Sequence, residues 1–276
     1  VRLALQGTRC VGAVTIGRLE RCGERWRVLD AQGRVVDEAP LVVLCAAAGS
    51  AGLLTPLGSA PWPTQHTRGQ VSVFAHPATT PLALPLTGDG YALSLADGSL
   101  LCGATRQRDD DDAAVRDTDH RFNVERARRL TGLDLPLAPE AWQGRVGWRL
   151  QSADRMPIAG PVVTPVARSI VGASAASGVP AAAAGRAAPL RHLPRAPGLF
   201  VVTALGSRGL TLTPLLGRLV AAMAGGTPWP IERDLVAAVD PGRWLVRAEH
   251  IARNERTECA WAAGGEAAAS DGGVGR

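Results

Sequence analysis

Residues 198–223 constrain the fold of this 276-residue chain more than any other segment. The segment opens with a largely apolar run, 199–205, that is rich in β-branched residues and typical of a strand buried on both faces. A short turn, residues 206–209, follows, and apolar residues then recur at the spacing of about 3.6 residues that marks an amphipathic helix. The sequence therefore predicts a strand, a glycine turn and a helix.

The turn itself has two interpretations. It aims backbone N–H groups and the positive end of the helix at one point, and its two glycines, Gly206 and Gly209, let a ligand approach the main chain closely. A turn with a purely structural role has the same pattern. The spacing alone leaves a cofactor turn and a structural turn equally favoured.

Composition sets outer limits on what the chain can be. With 46% hydrophobic residues it can bury a full core, in one large domain or in two interleaved ones. No apolar run approaches the roughly 20 residues that span a bilayer, and the first residues lack the layout of a signal peptide. A cytoplasmic protein without a membrane partner is therefore expected.

The cysteines and the net charge bear on metal sites, disulfides and anionic partners. The five cysteines are far apart and form no Cys-x-x-Cys pair, so neither a zinc site nor a disulfide framework is indicated. The formal net charge of +5 permits an anionic partner such as nucleic acid without requiring one, because the arginines are scattered. The acidic run 109–112 lacks the ligand spacing of a calcium loop and predicts a solvated loop.

Two further regions of strands are predicted. Residues 41–49 form a second buried strand that ends in small residues and Gly49, which leave room for a flat ligand or serve a tight core turn. Short strand-like runs with Gly-Asp-Gly and Ala-Asp-Gly turns then predict an antiparallel sheet, followed by an arginine-rich helix over 119–130. The predicted strands of this sheet cover residues 67–74, 81–86, 91–95 and 100–104.

An arginine stands out in the next strand. Residues 142–160 predict a strand and then a turn, and Arg149 lies between apolar strand residues. Burial of an arginine is unfavourable unless it meets an anion, so either a structural carboxylate or an acidic substrate is expected opposite it. Residues 162–197 have the composition of a low-complexity insertion, and residues 251–276 that of a disordered tail.

The order of these segments resembles the flavoproteins of the D-amino-acid-oxidase and glycine-oxidase type. The resemblance is carried by 41–49, by Arg68-Gly69-Gln70, by 147–160 and by 198–209. Within that family, 204–210 and 235–243 are similar to the oxidoreductase domain of bifunctional tRNA-modifying enzymes. The broader family normally has other residues at the Gly-Ser-Arg-Gly turn.

The resemblance implies a mixed α/β fold, in which a partial Rossmann-like FAD-binding domain is interleaved with an antiparallel-sheet substrate domain. The FAD-binding domain would cover residues 1–66 and 147–250, and the substrate domain residues 67–146. The implied activity is FAD-dependent oxidative removal of the carboxymethyl group from a modified wobble uridine in tRNA. In full-length relatives, a methyltransferase domain that uses S-adenosylmethionine would act next.

Site residues are carried over position by position from the same resemblance. Arg149 would bind the substrate carboxylate, with Gly69 and Gln70 at the crossover into the substrate domain. No catalytic acid or base is assigned, because oxidation of an amine by a flavin needs none, and no metal ligand is expected. The positions that would bind FAD are Gly49, Gly206, Ser207, Arg208, Gly209, Leu210 and Thr211.

The sequence also departs from the family pattern. No Gly-x-Gly-x-x-Gly fingerprint follows a strand, and no first βαβ unit or methyltransferase domain is recognisable. An N-terminally truncated piece, colourless and inactive when expressed alone, is therefore expected. Two alternatives stay open: an amine oxidase of the same fold that acts on glycine or sarcosine, and a non-catalytic remnant that binds tRNA or nothing.

Overall fold

The computed structural model describes residues 7–59, 62–75, 81–164 and 190–247. The chain divides into two compact units. The first consists of Val1–Trp62, Ile158–Thr203 and Leu210–Arg276, and the second of Pro63–Pro157 and Ala204–Gly209. Assignment of one unit to FAD and the other to the substrate, with the boundaries given above, stays a prediction.

The described residues form twelve strands and four α-helices. The strands are β1 (Ile16–Cys22), β2 (Arg25–Asp30), β3 (Val35–Ala39), β4 (Val42–Leu44), β5 (Thr64–Phe74), β6 (Leu86–Gly88), β7 (Gly90–Ser94), β8 (Leu100–Gly103), β9 (Gln107–Arg108), β10 (Trp142–Ser152), β11 (Ile158–Val163) and β12 (Arg195–Thr203). The helices are α1 (Gly49–Leu54), α2 (Asp117–Thr131), α3 (Gly209–Gly225) and α4 (Arg233–Val239).

The first unit holds two three-stranded sheets, one in the order β1-β2-β3 and one in the order β11-β12-β4. In the second sheet β4 runs parallel to β12, and β11 runs antiparallel to it. The strand predicted over 199–205 is confirmed as β12, which ends at Thr203 because Ala204 turns to a φ of +56°. The predicted helix is confirmed as α3, which buries Leu216, Leu219 and Val220.

The buried strand predicted over residues 41–49 is shorter and more exposed than expected. Only three residues of 41–49 form β4, and of these only Leu44 is buried. Leu41 and Val43 are each 39% exposed. The reason is position in the sheet: within the described residues β4 pairs with β12 alone, and an edge strand is less enclosed than a central one.

The second unit is built on one sheet in the order β10-β5-β8-β7-β6, with β9 paired to β5. Every pairing in it is antiparallel, which confirms the predicted antiparallel sheet. The strand predicted over 81–86 is wrong in its bounds, since β6 begins only at Leu86. The predicted helix is confirmed as α2, and Val124 of this helix packs into a core with Leu100, Cys102 and Trp142 of the sheet.

A buried ion pair joins α2 to β5. Arg68 is fully buried, and its Nη1 lies 2.6 Å from Oδ2 of Asp119 in the first turn of α2. The same guanidinium donates to the carbonyl oxygens of Asp112 and Ala114, at 2.6 Å and 2.5 Å. Arg68 therefore fixes both the start of α2 and the loop before it.

The acidic run 109–112 is part of that loop. Arg116 donates to Asp110 and Asp112, and its hydrogen bond to Asp110 is the main reason why the pKa of that carboxyl is lowered. Within the described ranges, no group of three or more His, Cys, Asp or Glu side chains is arranged to hold a metal ion. No described helix combines the length and apolarity needed to cross a bilayer.

Two predicted segments lie largely outside the described residues. The low-complexity stretch predicted over 162–197 has strand residues at both ends, since β11 ends at Val163 and β12 begins at Arg195. Residues 165–189 of this stretch, and the tail predicted over 251–276, are outside the described ranges.

Candidate functional site

The strand pair β5 and β10 decides where Arg149 lies. In this pair Thr67 is opposite Arg149, and Gln65 is opposite Gln151. Because successive side chains on a strand alternate between the two faces of the sheet, these four side chains share one face. Arg68, one residue along, belongs to the other face, where it contacts α2. Arg149 therefore lies on the sheet face opposite α2.

The predicted glycine turn meets this strand within the second unit. The N–H of Gly206 donates to the carbonyl oxygen of Leu150 at 2.9 Å, which places Ser207 beside Arg149. Nη1 of Arg149 donates to Oγ of Ser207 at 3.3 Å. Gly206 has a φ of +57°, a conformation that glycine adopts without steric strain. The structure thus brings together Arg149, Gly206 and Ser207.

Gly69 makes room for the arginine. A Cβ at this position would lie 2.9 Å from Nη2 of Arg149 and 3.1 Å from the carbonyl oxygen of Thr105. Both distances are shorter than ordinary contacts, so a larger residue would displace the guanidinium. Gly147, directly opposite Gly69 in the strand pair, has no atom of a described residue within 4 Å of the corresponding Cβ position. Gly69 therefore contributes to the site because the absence of a side chain leaves room for the guanidinium of Arg149.

Gln70 lies on the other face of β5. Its side chain is fully buried, its Nε2 donates to the carbonyl oxygen of Arg116 at 2.8 Å, and its Oε1 accepts from the N–H of Arg116 at 2.8 Å. These bonds fasten the loop before α2 to the sheet. The structure does not bring Gln70 together with Arg149, and a role for it in substrate binding stays a prediction.

Arg149 lines a cleft of about 810 Å³ in the second unit. Three further arginines, Arg106, Arg108 and Arg155, line the same cleft, and the described part of its lining includes no Asp or Glu. Among the described residues, none of the four arginines forms a salt bridge with a carboxylate. The site is therefore a cleft with four arginines in its described lining, and guanidinium groups bind anions such as carboxylates and phosphates.

The three additional arginines were missed in the sequence. Arg106 and Arg108 flank or end a strand of two residues, which is too short to recognise from periodicity, and Arg155 lies in a turn. One sequence feature could have indicated two of them. Arg106 and Arg108 are two residues apart, as are Arg149 and Gln151, and residues two apart on a strand lie on the same face.

Tyr91 is electrostatically coupled to Arg149. Burial raises the pKa of its phenol, and the positive charge of Arg149 opposes this shift. Because the net shift is upward from an ordinary value near 10, the phenol remains protonated at neutral pH. Tyr91 is therefore a neutral hydrogen-bonding group near a cation.

Predicted ligand-binding positions in the first unit lie at the carboxyl ends of β4 and β12. The two strands are parallel, and Oγ1 of Thr203 donates to the carbonyl oxygen of Ala47 at 3.1 Å, so both strands end at one edge. Residues 45–49, which include Gly49, are small and exposed there. Ligands in α/β folds bind outside the carboxyl ends of parallel strands, and these small residues leave space for a flat group.

The remaining positions of the glycine turn lead into α3. Arg208 donates to the carbonyl oxygen of Arg155, and Gly209 begins the helix. Leu210, in the first turn of α3, is 97% exposed, which is unusual for a leucine and suits contact with an apolar ligand surface. Thr211 is also exposed. How Gly49 and the turn combine around one ligand stays a prediction.

Comparison with known proteins supplies the family. The sequence model of the FAD dependent oxidoreductase family (DAO) matches residues 2–223. A protein of Methylibium petroleiphilum, named tRNA 5-methylaminomethyl-2-thiouridine biosynthesis bifunctional protein MnmC, is 42% identical over 254 residues. This alignment covers 88% of the present chain and 37% of the relative.

A protein of the same name from Burkholderia multivorans is 44% identical over 236 residues, covering 84% of the chain and 34% of the relative. The present chain thus spans about a third of the length of these relatives.

Solved structures show the same fold. Iminodiacetate oxidase from Chelativorans sp. BNC1 superposes with a TM-score of 0.62 at 21% identity, over 87% of this chain and 56% of that one. Glycine oxidase from Geobacillus kaustophilus gives 0.59 at 19% identity, over 82% and 51%. The predicted mixed α/β fold and the predicted flavoprotein resemblance are confirmed. The chain belongs to the FAD dependent oxidoreductase family.

Proposed function

We propose that this chain oxidatively removes the carboxymethyl group from 5-carboxymethylaminomethyl-(2-thio)uridine at the wobble position of tRNA. The observation that carries the proposal is Arg149, an arginine without a carboxylate partner among the described residues, in a cleft whose described lining has no acidic residue. Relatives at 42% and 44% identity are named for the biosynthesis of 5-methylaminomethyl-2-thiouridine. The carboxymethyl group offers the carboxylate that such an arginine binds.

FAD is the cofactor of the family, and the residues at the end of β4 and β12 fit it. Small exposed residues at 45–49 and the exposed Leu210 leave both space and an apolar contact for a flat ring system. We place FAD on Gly49 and on the turn formed by residues 206–211. When bound, FAD would supply the hydride acceptor for oxidation of the carboxymethyl carbon that is bonded to the substrate nitrogen.

The chain's own residues position the substrate. The guanidinium fork of Arg149 can bind both carboxylate oxygens, and its hydrogen bond to Ser207 restricts the orientation of the fork. No side-chain base is required, because the amine nitrogen supplies the electron pair as the C–H bond breaks. Loss of the hydride leaves a C=N bond between the amine nitrogen and the carboxymethyl carbon. Water then hydrolyses this bond, which releases glyoxylate and leaves an aminomethyl group on the uridine.

Partners and location follow from this proposal. The substrate is tRNA, and a methyltransferase domain that uses S-adenosylmethionine would methylate the exposed amine in full-length relatives. A cytoplasmic location is proposed, because tRNA is the substrate.

The test is product analysis with the FAD-loaded protein in air. An anticodon stem–loop that contains 5-carboxymethylaminomethyluridine should yield glyoxylate and the aminomethyl nucleoside in equal amounts. Consumption of glycine or sarcosine without any change in the RNA would instead support a small-molecule amine oxidase. If the FAD-loaded protein consumes neither substrate, the chain is a non-catalytic remnant.

Gly69→Ala tests the space that Arg149 occupies. The added methyl group would lie 2.9 Å from Nη2, so the flexible side chain of Arg149 must move. Because a displacement of about 1 Å in a positioning group can lower a rate 100-fold, kcat/KM for the modified RNA should fall by about that factor. The free energy of unfolding should fall by no more than about 1 to 3 kcal/mol.

Gly147→Ala is the matched control, since it adds the same atom at the paired position, where no atom of the described ranges lies within 4 Å. Its kcat/KM should equal that of the wild type. Equal activity of the Gly69→Ala and Gly147→Ala variants would show that the guanidinium does not act from its observed position.

A further inference from the structure

The basic cleft has more positive charge than one carboxylate requires. Its described lining includes four arginines, of which Arg149 is half-buried and donates a hydrogen bond to Ser207. Arg106, Arg108 and Arg155 are exposed. A uridine with a carboxymethylaminomethyl group offers a single carboxylate, which Arg149 alone can bind. The other three arginines are therefore in excess of what the modified base needs.

The acidic side chains close to the cleft have hydrogen-bond partners of their own. Asp109 accepts from Nε2 of Gln65 at 3.0 Å, and Asp154 accepts from Oγ of Ser152 at 2.9 Å and from the N–H of Met156 at 3.1 Å. Asp110 and Asp112 are held by Arg116. Gln65, Ser152 and Met156 are neutral donors, so Asp109 and Asp154 keep their negative charge. The described lining of the cleft itself contributes four arginines and no carboxylate.

The backbone positions of two of these arginines are fixed. Arg108 lies on β9 opposite Thr67, and the turn of Arg155 is closed by its N–H, which donates to the carbonyl oxygen of Ser152 at 3.0 Å. The carbonyl oxygen of Arg155 in turn accepts from Arg208. Exposed cations on a fixed backbone are suited to contacts with phosphates, which orient a nucleic acid without reading its sequence.

We propose that Arg106, Arg108 and Arg155 bind backbone phosphates of the anticodon loop on either side of the uridine whose carboxylate Arg149 holds. The proposal rests on the proposed function, which supplies the RNA. Phosphates are the anions that such a loop carries besides the carboxylate, and guanidinium groups bind them with two parallel hydrogen bonds. Arg106, Arg108 and Arg155 would then provide affinity for the RNA, and Arg149 would select the modified base.

The test is binding of an anticodon stem–loop to the FAD-loaded protein, with and without the carboxymethylaminomethyl group, over a range of salt concentrations. The triple variant Arg106→Ala/Arg108→Ala/Arg155→Ala should bind both RNAs about 100-fold more weakly at low salt. Its slope of log Kd against log salt concentration should fall by about 2, since each lost phosphate contact removes about 0.7 for a single strand. Arg149→Leu should retain the affinity for the unmodified RNA.

A second triple variant, Arg121→Ala/Arg128→Ala/Arg129→Ala, is the control. It removes the same charge from α2, on the other face of the sheet, and should bind RNA like the wild type. Flavin content of each variant confirms that it is folded.

The outcomes separate the two proposals. If the cleft variant binds RNA like the wild type, or if the wild type binds no RNA, the phosphate assignment is overturned. If the cleft variant keeps its RNA affinity and still releases glyoxylate, the phosphate assignment is wrong but the proposed function is not contradicted. If the wild type binds RNA through the three arginines but releases no glyoxylate from the modified form, the proposed function fails and the phosphate assignment stands.

Discussion

Arg149→Leu should lower kcat/KM for the carboxymethylaminomethyl substrate by about 30- to 1000-fold, which corresponds to about 2 to 4 kcal/mol of lost transition-state stabilisation. The variant removes a charge-assisted, bidentate contact from a cleft in which no carboxylate pairs with this arginine among the described residues. Steady-state kinetics with the modified anticodon stem–loop measures the effect. Oxidation of an amine analogue that lacks the carboxylate should not change.

Arg145→Leu serves as the control for this variant. Arg145 is an exposed arginine on the same strand, β10, and does not line the cleft, so its removal should leave kcat/KM unchanged. Flavin content should be the same in both variants. Loss of flavin or of folding in Arg149→Leu would mean that Arg149 has a structural role.

Asp119→Asn should lower the free energy of unfolding by about 3 to 5 kcal/mol, the usual effect of removing one partner from a buried ion pair. Arg68 would then be a buried charge without an anionic partner. Its side chain has no access to water and keeps its charge when Asp119 becomes neutral. Gln107 would lose less, since its Nε2 can still donate to an amide oxygen at position 119. Denaturant unfolding followed by circular dichroism measures the change.

The double variant Arg68→Met/Asp119→Leu tests whether the destabilisation comes from an unpaired buried charge or from lost packing. It removes both charges, so it should be less destabilised than the sum of the single variants Arg68→Met and Asp119→Leu. Arg128→Met, which breaks a pair with the 92% exposed Asp134, should change the unfolding free energy by less than about 1 kcal/mol. A similar effect for the buried and the exposed pair would contradict the account of the buried network.

Periodicity was enough to predict the elements with long, regular patterns. The apolar stripe through Leu216 and Leu219 located α3, and the run before the glycine turn located β12, because both patterns reflect burial against a sheet. The same rule failed for residues 41–49. An apolar sequence does not reveal whether its strand is central or at the edge of a sheet, and β4 is an edge strand within the described residues.

The site was predicted in part for a similar reason. Arg149 was recognisable because a charged residue interrupted an apolar strand, whereas Arg106 and Arg155 lie in irregular segments where arginine is common. Gly69 was selected through the family resemblance, but its physical role depends on a contact with a residue 80 positions away along the chain. Contacts of this kind depend on the register of β5 and β10, which one sequence does not reveal.

Anaerobic reduction of the flavin tests the central claim most directly, namely that the cleft around Arg149 serves a carboxylate on a modified uridine. The FAD-loaded protein is mixed without oxygen with the anticodon stem–loop that carries 5-carboxymethylaminomethyluridine, and with glycine or sarcosine in parallel. We expect the modified RNA to bleach the flavin absorbance, glycine and sarcosine to leave it unchanged, and Arg149→Leu to slow the bleaching by at least about 30-fold. Bleaching by glycine or sarcosine but not by the modified RNA would contradict the account.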